Sequence, residues 1–91
     1  MGSIAARHAR TVVEHVERVL SIELIVAAQA LDLRLELLPG TEPGAGVQAA
    51  HAAIRAVVSR LHGDREPGPD LAAAFELVHS GKLARLVSNH A

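Results

Sequence analysis

The sequence predicts an all-α fold in which one long helix, at about residues 4–32, is followed by two or three shorter helices. Three observations support this prediction. The apolar 49% of the chain contains one Phe and no Trp or Tyr, and such an aliphatic composition favours packed helices over sheets. Apolar residues recur at helical spacing in three separate segments. Two Pro-Gly pairs, Pro39-Gly40 and Pro43-Gly44, separate the first segment from the second.

The first segment changes character along its length. On a wheel of about 100° per residue, its first part is amphipathic, with apolar residues gathered on one side: Ala5, Ala9, Val12, Val13, Val16, Val19 and Leu20. Beyond Leu20, three polar residues point in different directions, and all the others up to Leu31 are apolar. A helix that is apolar on every side needs neighbours on every side.

The polar residues Glu23 and Gln29 lie within this apolar part of the predicted helix. Because buried polar groups are normally hydrogen-bonded, we predict that both are structural buried polar positions that bond to neighbouring helices. The helix would be about 42 Å long, whereas a compact domain of 91 residues is roughly 25–30 Å across. We therefore expect that the chain cannot surround this helix by itself.

The chain divides into three predicted regions: a long bundle helix at 1–34, a Pro/Gly connector at 35–46 and a C-terminal helical subregion at 47–91. Leucines at 31, 33, 35 and 37 alternate with charged residues, a period typical of a strand. Since no second strand-like segment is present to pair with it, we predict a helix that exits into an extended connector.

The C-terminal subregion contains two further apolar stripes. The stripe over residues 46–62 predicts a second helix that ends at Gly63. Asp70 is a good N-cap for a third helix that starts at Leu71. Gly81 should end that helix, and residues 82–87 should add a final turn or two.

Composition excludes several partners and sites. A net charge of −1 with no basic block argues against nucleic acid. The longest apolar run, at 24–28, is far below the roughly 18–20 residues that span a bilayer, so we expect no membrane partner. The N-terminus lacks the apolar core of a signal peptide, and the chain has no Cys. We therefore expect a soluble chain in the cytoplasm.

No catalytic, cofactor-binding or metal-binding residue is predicted. His8 and His15 share a helix face but are separated by seven residues, about 10 Å along the axis, which is too far for one metal ion. The serines lie in no Gly-x-Ser-x-Gly elbow, and the Pro/Gly connector lacks the Lys of a P-loop.

Three segments resemble the C-terminal region of histidine ammonia-lyase in the aromatic amino acid ammonia-lyase family. The first is Ala27-Ala28-Gln29-Ala30-Leu31-Asp32, at the end of the long helix, and the resemblance is strongest over residues 1–34. The second, Asp64-Arg65-Glu66-Pro67-Gly68-Pro69-Asp70, matches an Asp-Arg-x-x-x-Pro-Asp motif. The third is the closing helix, LAAAFELVHSGKLARLV. The second segment departs from the family pattern, because Glu66-Pro67-Gly68 replaces aromatic or aliphatic residues.

The resemblance implies a fragment of a larger helical-bundle lyase that converts L-histidine to urocanate and ammonia. Histidine is preferred over phenylalanine and tyrosine because residues 12–34 look most like that branch. The family uses a methylidene-imidazolone formed from an internal Ala-Ser-Gly. The only Ser-Gly in this sequence, Ser80-Gly81, is preceded by His79, and the family's Tyr residues are absent. We therefore expect no cofactor in this chain and no activity from it alone.

Met1 is expected to correspond to an internal methionine of a longer enzyme. A split gene, an internal start and an excised domain remain alternatives. The expected partners are the upstream lyase portion, a homo-oligomer or both. The alternative hypothesis is an autonomous helical module, derived from a lyase, that self-associates through its apolar helix faces.

Overall fold

The computed structural model describes residues 2–89 and contains four helices: α1 (Gly2–Leu37), α2 (Ala45–Val57), α3 (Gly68–His79) and α4 (Lys82–Ser88). The described residues form no strand. These elements confirm the predicted all-α class, with one long helix followed by three shorter ones. None of the four helices is both long enough and apolar enough to cross a membrane.

Helix α1 is longer than the rest of the molecule is wide. Its 36 residues correspond to about 54 Å, and the molecule measures 56 × 34 × 17 Å. The radius of gyration is 15.4 Å, compared with about 12 Å for a compact domain of this length. The chain is therefore elongated along α1.

The end of α1 differs from the prediction. The helix continues through the alternating leucines to Leu37, so the predicted extended exit was wrong. Leu31 and Leu35 are half-buried and lie on one helix side, four residues apart, where they line a groove with Pro43. The pattern of alternating leucines thus also satisfies a helix, and Gly40, with φ of 90°, turns the chain after it.

Helices α2 and α3 also have different limits from those predicted. Helix α2 ends at Val57 rather than near residue 62, because Val58 takes an extended backbone conformation (φ −132°, ψ 112°) and is 2% exposed. Helix α3 starts at Gly68, and Asp70 lies in its first turn instead of capping it. Gly81 ends α3 as predicted, with the left-handed φ of 79° that favours glycine.

The core lies where α2 and α3 pack against the middle of α1. Its fully buried members come from all three helices and the end of α2: Ala28, Ile54, Val58, Ala74 and Leu77. Half-buried Leu24, Ile25 and Leu83 pack around them. The chain exposes 6442 Å², about a quarter more than the roughly 5,100 Å² expected for a compact monomer of this mass. The core is therefore small, and much of α1 is uncovered.

Candidate functional site

A polar cluster around Asp32 joins the C-terminal part of α1 to α2. Oδ2 of Asp32 accepts hydrogen bonds from Arg55 Nε at 3.0 Å and Arg55 Nη2 at 2.7 Å. Oδ1 of Asp32 lies 2.8 Å from Nε2 of His51. His51 and Arg55 are four residues apart on α2, so their side chains point to the same side of that helix. One carboxylate therefore holds two successive turns of α2.

The environment of Asp32 keeps its carboxylate ionised. The side chain is 14% exposed. Burial acts to raise the pKa of Asp32, but hydrogen bonds and charges from Arg55 and His51 outweigh it and hold that pKa below its usual value. The ion pair with Arg55 is thus present throughout the neutral pH range.

Gln29 fixes the segment that follows α2. Its Nε2 donates to the carbonyl of Leu61 at 3.1 Å, and its Oε1 accepts from the amide of Leu61 at 3.2 Å. Arg55 adds a bond from Nη2 to Gln29 Oε1 at 3.4 Å and one from Nη1 to the carbonyl of Val58 at 3.1 Å. Gln29 was predicted to bond to neighbouring helices, whereas its partner in the structure is the backbone of Leu61, in the segment after α2.

Arg65, from the Asp-Arg-x-x-x-Pro-Asp motif, organises the loop between α2 and α3. Its Nε donates to Oδ2 of Asp70 at 2.8 Å. Its two terminal nitrogens donate to the carbonyls of Ser59 and Arg60. At residues 66–68 this loop has Glu, Pro and Gly in place of aromatic or aliphatic side chains. Its position is instead set by charge-assisted hydrogen bonds.

A second ion pair lies beyond Asp32, where Arg60 Nη1 is 2.6 Å from Glu36 Oε1. The hydrogen bond and charge of Arg60 lower the pKa of Glu36, and the same bond raises the pKa of Arg60. Arg60 Nε is buried without a hydrogen-bond partner in the described part of the chain. This pair ties the segment after α2 to the last turn of α1.

Helix α3 is held to α1 by a separate pair of contacts. His79 Nδ1 lies 2.9 Å from Oε2 of Glu17, and the Arg18 guanidinium carbon lies 4.5 Å from the centre of the Phe75 ring. The rings of Phe75 and His79 stack with their centres 5.3 Å apart. Glu17 and Arg18 both lie in the amphipathic first part of α1, and both contact α3.

Glu23 lies on the opposite side of α1 from these contacts and is exposed. It makes no salt bridge or side-chain hydrogen bond within residues 2–89. The structure therefore does not bring Glu23 together with Gln29, and burial of Glu23 by helices from elsewhere stays a prediction.

The uncovered part of α1 is strongly apolar. Nine of its large apolar side chains are between 45% and 62% exposed: Ile4, Val12, Val13, Val16, Val19, Leu20, Ile22, Val26 and Leu33. An open groove of about 380 Å³ runs beside them, between α1 and α2. Monomeric soluble proteins rarely expose large contiguous apolar patches. We regard this surface as the candidate functional site, and its chemistry is that of a binding surface.

The dipeptide Ser80-Gly81 is part of a helix terminus. Ser80-Gly81 follows His79 rather than Ala and forms the end of α3. The Ser80 hydroxyl donates to the carbonyl of Leu77 at 3.2 Å and accepts from the amide of Lys82 at 3.3 Å. These bonds and the left-handed Gly81 are those of a helix terminus.

The histidines likewise form no metal centre in the described part of the chain, where no group of three or more His, Cys, Asp or Glu side chains could hold an ion. His51 and His79 are each paired with a carboxylate. Both act between helices in this structure.

The Asp32 cluster was not predicted from the sequence. His51 and Arg55 lie outside the apolar stripe of the second helix, yet both are half-buried against α1. The spacing of four residues between a His and an Arg was the available signal. Residues at this spacing share one helix side whether that side contacts another helix or faces solvent. Because the sequence does not give the distance between the two helices, it does not distinguish the two cases.

Comparisons with known proteins give the family. The family model described as aromatic amino acid lyase matches residues 1–56. Among curated proteins, the histidine ammonia-lyase of Sorangium cellulosum is 54% identical over 87 residues. Those of Symbiobacterium thermophilum and Gloeobacter violaceus are 49% identical over 89 residues and 45% identical over 87 residues.

Each of these alignments covers 96% of the chain and 16% of the relative. The chain thus spans about one sixth of the length of the curated relatives that it matches. No solved structure matches the chain. The family model covers more than half of the chain, and we conclude that the chain belongs to the aromatic amino acid lyase family.

Proposed function

We propose that residues 1–91 form the C-terminal structural portion of a histidine ammonia-lyase-like enzyme that converts L-histidine to urocanate and ammonia in the cytoplasm. In this proposal the chain supplies scaffold and no reacting group. The methylidene-imidazolone comes from an Ala-Ser-Gly that lies outside residues 1–91. The 91-residue chain alone is therefore inactive.

The observation that carries the proposal is the similarity to proteins named histidine ammonia-lyase over 96% of the chain, at 54% and 49% identity. Such identity favours the histidine branch of the family over the others. The matched region is 16% of each relative. We therefore expect the exposed apolar surface of α1 to pack against the remaining five sixths of such an enzyme.

The uncovered surface of α1 supports a scaffold role. Burial of apolar surface contributes about 25 cal/mol per Å², so half-exposed valines and isoleucines along α1 favour association with other helices. The Asp32 cluster orients α2 relative to this surface. In the proposal, α2, α3 and α4 brace one side of α1, while the upstream lyase portion covers the other side.

A chimera tests the proposal directly. The matched segment of the Sorangium cellulosum histidine ammonia-lyase is replaced by residues 1–91, and urocanate formation is followed by ultraviolet absorbance. We expect activity within about tenfold of the parent enzyme, since volume-conserving changes in a packed scaffold usually cost less than about 1.5 kcal/mol each.

Two further proteins complete this experiment. The parent enzyme that lacks the matched segment should be inactive, and the 91-residue chain alone should form no urocanate. Urocanate formation by the isolated chain would contradict the scaffold role. A chimera that assembles like the parent and yet has no activity would contradict the family function.

A second candidate function is an autonomous self-association module, favoured by one specific observation. The chain has its own small core, and ion pairs join α1 to α2 and α1 to α3, so part of its fold is specified without outside help. A pull-down with the truncated parent lyase separates the two candidates. Restored activity supports the scaffold, whereas a stable homo-oligomer that does not bind the truncated lyase supports the module.

A further inference from the structure

The first part of α1 extends beyond the other helices. Residues 2–13 are all exposed and are about 18 Å long as a helix. The first side-chain bond between α1 and another helix is that of Glu17 with His79 on α3. Within residues 2–89, no salt bridge or side-chain hydrogen bond joins residues 2–13 to α2, α3 or α4. We call residues 2–13 the N-terminal arm.

We propose that the N-terminal arm folds only when a partner binds it. In the 91-residue chain alone, the arm exchanges between helix and unfolded chain, and it becomes a stable helix when its apolar stripe is covered. The stripe consists of Ala5, Ala9, Val12 and Val13. The identity of the partner, the upstream lyase portion, rests on the proposed function. The instability of the free arm does not, because it concerns the isolated chain.

The composition of the arm favours the helix weakly. Because the arm extends an existing helix, its formation depends on propagation and not on nucleation, and propagation is close to neutral even for good helix formers. Seven of its twelve residues rank below Ala, Leu, Arg, Lys and Glu in helix propensity: Gly2, Ser3, Ile4, His8, Thr11, Val12 and Val13. Extension of the helix through the arm therefore needs additional contacts.

The polar groups of the arm do not supply these contacts. The first turn of α1 contains no acidic residue, although negative charge there would stabilise the positive end of the helix dipole. The first charged side chains along the arm are the basic Arg7 and Arg10. The Thr11 hydroxyl donates to the carbonyl of Arg7 at 3.0 Å, and a bond of this type slightly destabilises a helix.

The part of α1 after Glu17 has the contacts that the arm lacks. Ser21 is 1% exposed and Ala28 is 5% exposed, and Gln29 and Asp32 bond to α2 and the segment that follows it. Segments with few buried apolar contacts open at low free energy, whereas core segments open at a free energy near that of global unfolding. The arm therefore opens without the rest of the molecule.

Coupling of folding to binding has a measurable consequence. When only a fraction of the free chains has a folded arm, the apparent dissociation constant for the partner rises in inverse proportion to that fraction. A substitution that favours the arm helix then strengthens binding by the same factor. If the arm were already a stable helix in the free chain, the same substitution would leave the affinity unchanged.

Thr11 provides a matched pair of variants. It lies on the side of the helix opposite the apolar stripe, so its substitution leaves the stripe intact. Thr11→Ala favours the helix and Thr11→Gly disfavours it, and the two residues differ about fivefold in helix propagation. Ala30→Gly is the control, because it lowers helix propensity at an exposed residue in the later part of α1 and should not change the arm.

Hydrogen exchange of the isolated chain, by nuclear magnetic resonance, is the first measurement. It is made at a concentration at which sedimentation shows a monomer. The first four amides of any helix lack a partner within it, so residues 6–13 are the informative ones. We expect their amides to exchange within about tenfold of the rate of an unfolded peptide, while residues 21–28 are strongly protected. Exchange of the arm should be about fivefold slower in Thr11→Ala than in Thr11→Gly, and unchanged in Ala30→Gly.

Binding to the parent enzyme that lacks the matched segment is the second measurement. By titration calorimetry, Thr11→Ala should bind about fivefold more tightly than Thr11→Gly. Residues 6–13 of the bound chain should gain protection from exchange, while residues 21–28 keep the protection that they have in the free chain.

Three results would overturn the proposal. Residues 6–13 that are as protected as residues 21–28 in the isolated monomer would exclude a free arm. Equal affinities of Thr11→Ala and Thr11→Gly would exclude coupled folding. Absence of binding would exclude the partner and would also count against the proposed function. An active chimera, combined with a protected arm in the isolated chain, would overturn the arm proposal alone, so the two proposals fail separately.

Discussion

The two halves of α1 have different surroundings although they belong to one continuous helix. From Glu17 onward, one side of the helix contacts the other elements through Ser21, Ala28 and Asp32. Residues 2–13 are all exposed. Helical periodicity is similar in both halves, so periodicity alone does not show which half has a partner within the chain. The two halves differ because α2 and α3 pack against α1 only from Glu17 onward.

The comparison also separates two kinds of stabilisation. The C-terminal half is fixed by a small core and by directional bonds from Asp32 and Gln29. The N-terminal half depends on helix propensity and on i,i+4 side-chain pairs, which contribute about 0.2–0.5 kcal/mol each. We therefore expect substitutions of the same type to have different effects in the two halves.

The largest expected loss is from Ile54→Ala. Ile54 is completely buried at the contact of α2 with α1, and truncation of such a residue to Ala costs about 2–5 kcal/mol. Ile4→Ala is the matched control, because Ile4 lies in the uncovered N-terminal half and is 54% exposed, so this variant should change the free energy of unfolding by less than about 0.5 kcal/mol. Urea denaturation followed by circular dichroism, at equal protein concentrations, measures both. Equal losses would show that α1 is not divided as described.

Arg55→Ala should have the second largest effect, a loss of about 2–3 kcal/mol, because it leaves the carboxylate of Asp32 and the carbonyl of Val58 without their main donor. The control is Arg10→Ala, at an exposed position of the N-terminal half, with an expected change below about 0.5 kcal/mol. The same denaturation measurement applies. A loss below about 0.5 kcal/mol for Arg55→Ala would mean that the Asp32 cluster does not hold α2.

Gln29→Ala should cost about 1 kcal/mol, the usual net value of a hydrogen bond. Its effect should be local. Since Gln29 binds both backbone groups of Leu61, amide exchange of Leu61 should accelerate while the amides of α3 keep their protection. Hydrogen exchange by nuclear magnetic resonance distinguishes this from a global loss. Uniform acceleration across all helices would contradict a local role.

The smallest expected effect is the acid response of Asp32. Since its folded pKa lies below the usual value of 3.8, its contribution to stability is present above that value and is lost as the pH falls through the folded pKa. The variant Asp32→Asn should weaken this loss, while the contribution from Glu36, whose pKa is also lowered, remains. Denaturation at a series of acidic pH values measures the slope, and an unchanged slope in the variant would contradict the prediction.

Helix limits show which local signals were sufficient. Gly81 was identified as the end of α3 because few residues other than glycine adopt a positive φ. The end of α2 was misplaced because Val58 takes an extended conformation that no local pattern required. Burial of Val58 in the core, and the bond from Arg55 to its carbonyl, favour that conformation over another helical turn.

The polar residues show the same division. Glu23 and Gln29 were both singled out because they interrupt an apolar helix, yet they have different surroundings. Gln29 lies where the segment after α2 passes, and it bonds to that backbone. Glu23 lies on another side of α1, where it lines a groove with Val78 and Leu83 but forms no salt bridge within the described residues. Their positions on α1 could be read from the sequence, but their partners could not.

The sequence by itself determined the helical class, the presence of one long and largely apolar helix at the start of the chain, and the family. Those properties are encoded locally, through composition, helical periodicity and motifs that can be read along the chain. Only the tertiary structure decided which face of α1 is covered, which carboxylate is paired and which remains exposed. The reason is physical: a side-chain bond depends on distances between residues up to 62 positions apart, such as Glu17 and His79, and those distances are set by packing.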